Sequence, residues 1–245
     1  MQAKKIWAMY WSATGTTKTV VTAVAGKMAD RLGLPLEEYD FTLPAERQGA
    51  PEFGPEDVVV FGTPTYAGRV PNVLLKYLTT VKGNGAAAVP VVTFGNRAFD
   101  DSLIELRDIL ADNGFRPFAA AAFACEHSFS TTLAAGRPDA DDLALAAQFA
   151  EQAAARVPTL DADTPVIAVP GRAKADRDYY QPRDRAGNSI DIRKVKPKTN
   201  DQCDNCGICA AVCPMGSIDP QDVRQFTGIC NCFVFVTLQN YGNIH

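Results

Sequence analysis

No apolar run in this chain approaches the roughly 18 residues that a membrane-spanning helix requires, so no membrane insertion is expected. Positive charge is not in excess. Against 28 Asp and Glu stand 24 Lys and Arg, a formal net charge of -4, and general nucleic-acid binders are usually basic. The chain has no Walker loop and no dinucleotide fingerprint, so direct nicotinamide chemistry has no support. It has no signal-peptide cleavage pattern: Met1–Lys5 runs straight into a strand-like stretch. Cysteine is almost missing from the first 200 residues, because six of the seven follow that point. That distribution excludes a large disulfide scaffold. In the reducing cytoplasm expected here, clustered thiols point to a metal.

What is present can bury a core. Hydrophobic residues are 47% and charged residues 21% of 245, enough for one domain and a small module. Up to about residue 157, short apolar runs alternate with helical patterns. Strands are expected at Lys5–Trp11, Pro35–Asp40, Asp57–Gly62, Ala88–Gly95 and Phe118–Cys125. Helices are expected from Val20 to Met28, at Asn72–Thr80, at Ser102–Asn113 and at Asp141–Arg156. This alternation predicts an α/β fold, a doubly wound parallel sheet with helices on both faces. The expected organisation is a first domain over 1–157, a linker over 158–200 and a cysteine-rich module over 201–245. Residues 171–198 carry nine Lys or Arg against four Asp. A charged linker and a docking surface for an acidic partner both fit that stretch.

Between the first strand and the first helix lies Ser12-Ala13-Thr14-Gly15-Thr16-Thr17. Free N–H groups and the helix dipole favour an anion at such a junction. Gly15 permits the tight turn, and the hydroxyls of Ser12, Thr14, Thr16 and Thr17 can donate to one phosphate. The alternative is that these residues only cap the helix. Two further loops, at Gly62–Pro71 and Gly95–Asp101, would lie beside the first in a sheet of order 2-1-3-4-5, at the edge where strand order reverses. Each carries an aromatic, Tyr66 or Phe99, suited to wall a flat ring. Cys125-Glu126-His127-Ser128 ends the fifth strand at the same edge; Cys125 reads as a buried thiol, unpaired with His127 as nucleophile and base, and His127 is a candidate for the rim of that site. No residue stands out as an acid or base for a substrate.

With these three loops in order, residues 1 to about 157 resemble flavodoxin. The resemblance implies FMN, with its phosphate on Ser12, Thr14, Gly15, Thr16 and Thr17. Its ring would lie between Thr63, Pro64, Thr65, Tyr66 and Gly68 on one loop and Gly95, Asn96, Arg97, Phe99 and Asp100 on the other.

Cys203-x2-Cys206-x2-Cys209-x3-Cys213-Pro214 is the most specific pattern in the chain. Such steps wrap backbone around a 4Fe-4S cluster. A structural zinc site is the alternative, but it usually separates two Cys-x2-Cys pairs by a longer loop. The run resembles a bacterial ferredoxin, and the whole chain resembles the anaerobe family that fuses flavodoxin to a two-cluster ferredoxin module of small α+β fold. It departs from that family after Ile229, where only Cys230 and Cys232 stand in place of a second complete run. One cluster is therefore expected. The reading is an electron carrier between FMN and a 4Fe-4S cluster, serving redox partner proteins. The alternatives are a flavin-dependent reductase of a small acceptor and a sensing module whose cluster only holds the tail folded.

Overall fold

The computed structural model describes residues 1–130, 132–180, 183–191 and 199–230. Its centre is a parallel sheet. The strands are β1 (Lys5–Tyr10), β2 (Leu36–Asp40), β3 (Asp57–Pro64), β4 (Ala87–Phe94), β5 (Arg116–Pro117) and β6 (Ala121–Ala124). Their order is β2-β1-β3-β4-β5, with β6 also pairing with β4. This is the flavodoxin-like doubly wound arrangement, and its switch point lies between β1 and β3.

Side-chain alternation divides the core into two layers. Ile6, Ala8 and Tyr10 of β1, Val58 and Val60 of β3, and Val89 and Val91 of β4 face one side. There they meet α1 (Thr16–Leu32) and α4 (Ala140–Arg156), through Val20, Val21, Val24 and Met28 of α1 and Ala146, Ala150 and Ala153 of α4. Met9, Val59, Phe61, Ala88 and Val92 face the other side. They are covered by α3 (Ser102–Asp112), through Leu103, Leu106 and Leu110, and by the one-turn helix α2 (Leu75–Leu78). β3 and β4 are buried on both faces, which explains their unbroken apolar runs. Gly33, at φ 65°, ends α1, and its N–H bonds back to Ala29 and Asp30. Asp139 and Asp142 form a reciprocal capping box at the start of α4.

Two expected elements differ. The helix expected over Asn72–Thr80 is a 3₁₀ turn, Asn72–Leu74, followed by the single turn α2. The hydroxyls of Thr79 and Thr80 bond back to the carbonyls of Lys76 and Tyr77, which closes the helix early. The strand expected at Phe118–Cys125 is split into β5 and β6. Pro117 has no N–H to continue a ladder, and residues 118–120 leave the strand although Phe118 still donates to Ala88.

Beyond α4 the chain returns to the sheet. Ile167 donates to Pro117, and Arg172 reaches Asp101 through its backbone N–H at 2.8 Å and its Nε at 2.7 Å. In the cysteine run, α5 (Ile208–Ala211) follows Gly207, which has φ 80°. Cys213, Ile218 and Val223 form a small core with Cys203, Cys209 and Phe226 against it. An antiparallel bridge links Ile218 to Phe226. Arg47 donates to the carbonyls of Phe41, Thr42 and Pro214 at 3.0, 2.5 and 2.6 Å, which seats the run against the connection after β2. Burial lowers the Arg47 pKa, and the charges of Tyr77 and Cys213 partly oppose this. Cys232 and the apolar tail after it lie outside the described residues. Among the described residues, no helix is long and apolar enough to cross a membrane.

Candidate functional site

A cleft of ≈ 150 Å³ opens at the carboxyl edge of the sheet, where β1, β3, β4 and β6 end. Of the residues expected there, Thr14, Thr16, Thr17, Pro64, Thr65, Tyr66 and Gly95 line it. At its floor α1 begins. Gly15 precedes the helix at φ 88° and makes no side-chain cap. Among the described residues, the peptide N–H groups of Thr14, Gly15, Thr16 and Thr17 have no acceptor. Four free donors at the positive end of a 17-residue helix can receive an anion.

The hydroxyls of the loop divide between scaffold and cleft. Ser12 Oγ accepts the N–H of Lys18 at 3.0 Å and so serves the helix, while the N–H of Ser12 donates to Thr42 Oγ1 at 2.8 Å. Thr17 Oγ1 lies 2.7 Å from Thr93 Oγ1 and is buried with it. Thr16 bonds the thiol of Cys125. Among the described residues, the Thr14 hydroxyl has no partner. Lys18 is turned away: its Nζ lies 3.1 Å from Glu38 and 5.7 Å from the Tyr10 ring centre. The hydrogen bond from Tyr10 holds the Glu38 carboxyl below its usual pKa, with Lys18 adding to the effect.

On one wall, Tyr66 lies edge-on to Trp11 at 5.7 Å. Its loop is tied to the next: Thr65 Oγ1 is 2.7 Å from Ser102 Oγ, and Asp101 N–H donates to Gly68. The opposite wall differs from expectation. Phe99 packs on Phe94 with ring centres 5.5 Å apart, and Phe94 lines the cleft in its place. Asn96, Arg97, Asp100 and Gly68 also stand outside the lining; Arg97 pairs with Asp100 at 3.2 Å. Thr63 is fully buried beneath the wall, and its hydroxyl has no partner among the described residues.

The segment expected to end the last strand at this edge does line the cleft, through Cys125, Glu126, His127 and Ser128, and Phe129, which the sequence did not single out, joins it. The signal available was Gly95. A Cβ there would lie 2.5 Å from His127 Cδ2, so this glycine is what lets the histidine fold over β4. His127 Nδ1 accepts the N–H of Phe129 at 3.1 Å. The Cys125 thiol is pushed up to about 12 by burial, with the charge of Asp142 adding to it. It stays protonated at neutral pH and is not a nucleophile.

A larger groove of ≈ 790 Å³ lies elsewhere, between residues 47–52 and α2, and none of the three loops enters it. Among the described residues, no three His, Cys, Asp or Glu side chains gather to hold a metal ion. Among the described residues, Cys203, Cys206, Cys209 and Cys213 are free thiols. Burial raises the pKa of Cys209, and the nearby Cys203 and Cys206 raise it further. Ser217 N–H points at Cys213 Sγ at 3.4 Å.

No protein-family model and no curated protein matches this chain. Solved structures do. A flavodoxin of Streptococcus pneumonia TIGR4 is 21% identical with a TM-score of 0.43, over 63% of this chain and 99% of that one. Flavodoxin 1 of Bacillus cereus is 16% identical with a TM-score of 0.47, over 64% of this chain and 100% of that one. The rubredoxin oxygen:oxidoreductase of Desulfovibrio gigas is 16% identical with a TM-score of 0.46, over 64% of this chain and 37% of that one.

Proposed function

We propose that this chain binds FMN in the cleft at the sheet edge and works as a flavin electron-transfer protein. The observation that carries the reading is the set of four unsatisfied peptide N–H groups at the start of α1, beside the free Thr14 hydroxyl. They suit one phosphate, and the loop is sized for FMN rather than FAD. Bound FMN would supply one- and two-electron exchange. The residues of the chain would anchor the phosphate at Thr14–Thr17 and present Tyr66 to one face of the ring. Phe94, His127 and Phe129 would shield the other side from water.

Titration of FMN fluorescence is expected to give one site per chain, with FAD much weaker. Thr14→Val removes a donor to a charged group and is expected to weaken FMN by about 1.5–3 kcal/mol. Absence of FMN binding, or unchanged affinity in that variant, would refute the assignment.

The cysteine run supports an iron–sulfur site by its spacing alone, with Cys203, Cys206 and Cys209 as ligands and a fourth from Cys213, Cys230 or Cys232. Among the described residues the thiols are not gathered at one point, so no electron-transfer step is assigned to a cluster. Anaerobic reconstitution with iron and sulfide is expected to give about four irons per chain, because six thiolates cannot ligate two clusters fully. Eight irons in two coupled clusters, or none, would overturn this count.

A further inference from the structure

We propose that Tyr179, which lies well beyond the last element of the sheet domain, is a positioning residue for the flavin site. Together with Arg69 and Glu105 it clamps the turn that presents Tyr66 to the cleft. This inference rests on the FMN reading.

The turn needs an external hold. Tyr66 and Arg69 exchange N–H···O bonds of 2.9 and 3.0 Å across it. Between them Ala67 stands at φ 50° and Gly68 at φ 78°. Glycine occupies the left-handed region freely, whereas alanine is held there only where its surroundings impose it.

Those surroundings come from α3 on one side and from residues 171–180 on the other. Glu105 accepts Arg69 Nε at 2.8 Å, Arg69 Nη2 at 2.6 Å and the N–H of Val70 at 2.8 Å. The third guanidinium nitrogen, Nη1, donates to the carbonyl of Arg177 at 2.7 Å. The Tyr179 ring lies 4.5 Å from the guanidinium carbon. Its hydroxyl donates to the carbonyl of Val70 at 3.0 Å, and Tyr180 N–H reaches the carbonyl of Ala67 at 3.4 Å. Arg69 and Glu105 are both nearly buried, with side-chain exposures of 10% and 7%. Tyr179 thus covers a buried charge pair and holds the backbone on the far side of the turn.

The segment is itself anchored. Arg172 binds Asp101, whose N–H holds Gly68, and Arg177 binds Asp108. Gly171 sits where a Cβ would lie 2.3 Å from Ile104 Cγ2. The chain therefore runs from α3 to the turn along a fixed path, and its contacts converge on residues 67–70. Burial pushes the Tyr179 phenol up to about 12, so the hydroxyl keeps its proton.

The test uses the full chain in three variants: Tyr179→Ala, Tyr179→Phe and, as a control, Tyr180→Ala, whose side chain is exposed while its backbone donor is kept. Amide hydrogen exchange at Arg69 and Val70 is measured without FMN, followed by FMN affinity and the midpoint potential of the bound flavin. Loss of a cation–π contact and one hydrogen bond should speed exchange and weaken FMN by about tenfold in Tyr179→Ala. A shifted potential should accompany this. Tyr179→Phe keeps the ring and should show a smaller change in the same direction, and Tyr180→Ala should match wild type. Unchanged exchange in Tyr179→Ala overturns the clamp. Faster exchange with unchanged affinity and potential overturns the positioning role and leaves a structural one. If Tyr179→Ala fails to fold, Tyr179→Phe decides by the same readings. Wild-type protein that binds no FMN overturns the FMN reading and the positioning role with it. Exchange in the apoprotein separates that failure from failure of the clamp.

Discussion

Glu105→Ala is expected to destabilise the protein by about 3–5 kcal/mol, the range for removing one partner of a buried ion pair. Glu105 is 6% exposed on α3, and Arg69 is 9% exposed beneath the cleft wall. Truncation removes the acceptor of three hydrogen bonds together: two from the guanidinium and one from Val70 N–H. The guanidinium then keeps its bond to the Arg177 carbonyl and its place over Tyr179, but loses the carboxylate that pairs with two of its nitrogens. Against a total stability of roughly 5–15 kcal/mol this is a large fraction. Urea unfolding at neutral pH measures it. Glu105→Gln keeps the shape and one acceptor oxygen and should lose less. The double variant Arg69→Met/Glu105→Leu should recover most of the loss, because apolar replacement of a buried pair is often neutral. A loss below about 1 kcal/mol in Glu105→Ala is the value of a surface pair, and it would mean that Arg69 and Glu105 are solvated.

The sheet was legible because its signals are local. Asp57–Gly62 is apolar without alternation, as a strand covered on both faces must be, and Leu103, Leu106 and Leu110 mark one stripe of α3. The loop between β1 and α1 was legible for the same reason, as a hydroxyl-rich turn joining strand to helix. How its hydroxyls divide was not. Whether Ser12 faces a ligand or the N–H of Lys18 depends on a rotamer, and whether Thr17 is free depends on Thr93, 76 residues away. The same holds for the cleft wall. Phe94 and Phe99 are equivalent in composition, and only the path of residues 95–101 decides which ring reaches the opening. The hold on Tyr66 joins residues 36 and 108 positions apart, and no pattern within a segment encodes such a pairing. The cysteine run is the converse case. Its spacing is explicit, but the thiols of the described residues are not brought to one centre.

Gly62→Ala is expected to cost about 1–3 kcal/mol or more, the range for overpacking a full core. The added Cβ would lie 2.1 Å from Val21 Cγ2 and 3.2 Å from Thr17 Cγ2. Val21 is fully buried on α1 and is β-branched, with one strongly preferred rotamer in a helix, so it cannot swing aside. The strain must move α1 away from β3. Gly62 does not have a positive φ, so alanine there meets no backbone penalty and even reduces the freedom of the unfolded chain. The whole loss therefore reports the contact. Because α1 begins at the floor of the cleft, displacing it should also disturb the 2.7 Å bond between Thr17 and Thr93 and the four N–H groups beside it. FMN affinity should fall together with stability. Val21→Ala alone leaves a cavity and is itself destabilising. Combined with Gly62→Ala, it vacates the space the new methyl needs, so the double variant should be more stable than the two losses added together. Denaturant unfolding of the four proteins gives the coupling directly. Simple additivity would show that β3 and α1 are not in contact at this point, and the placement of the loop over the sheet edge would fall with it.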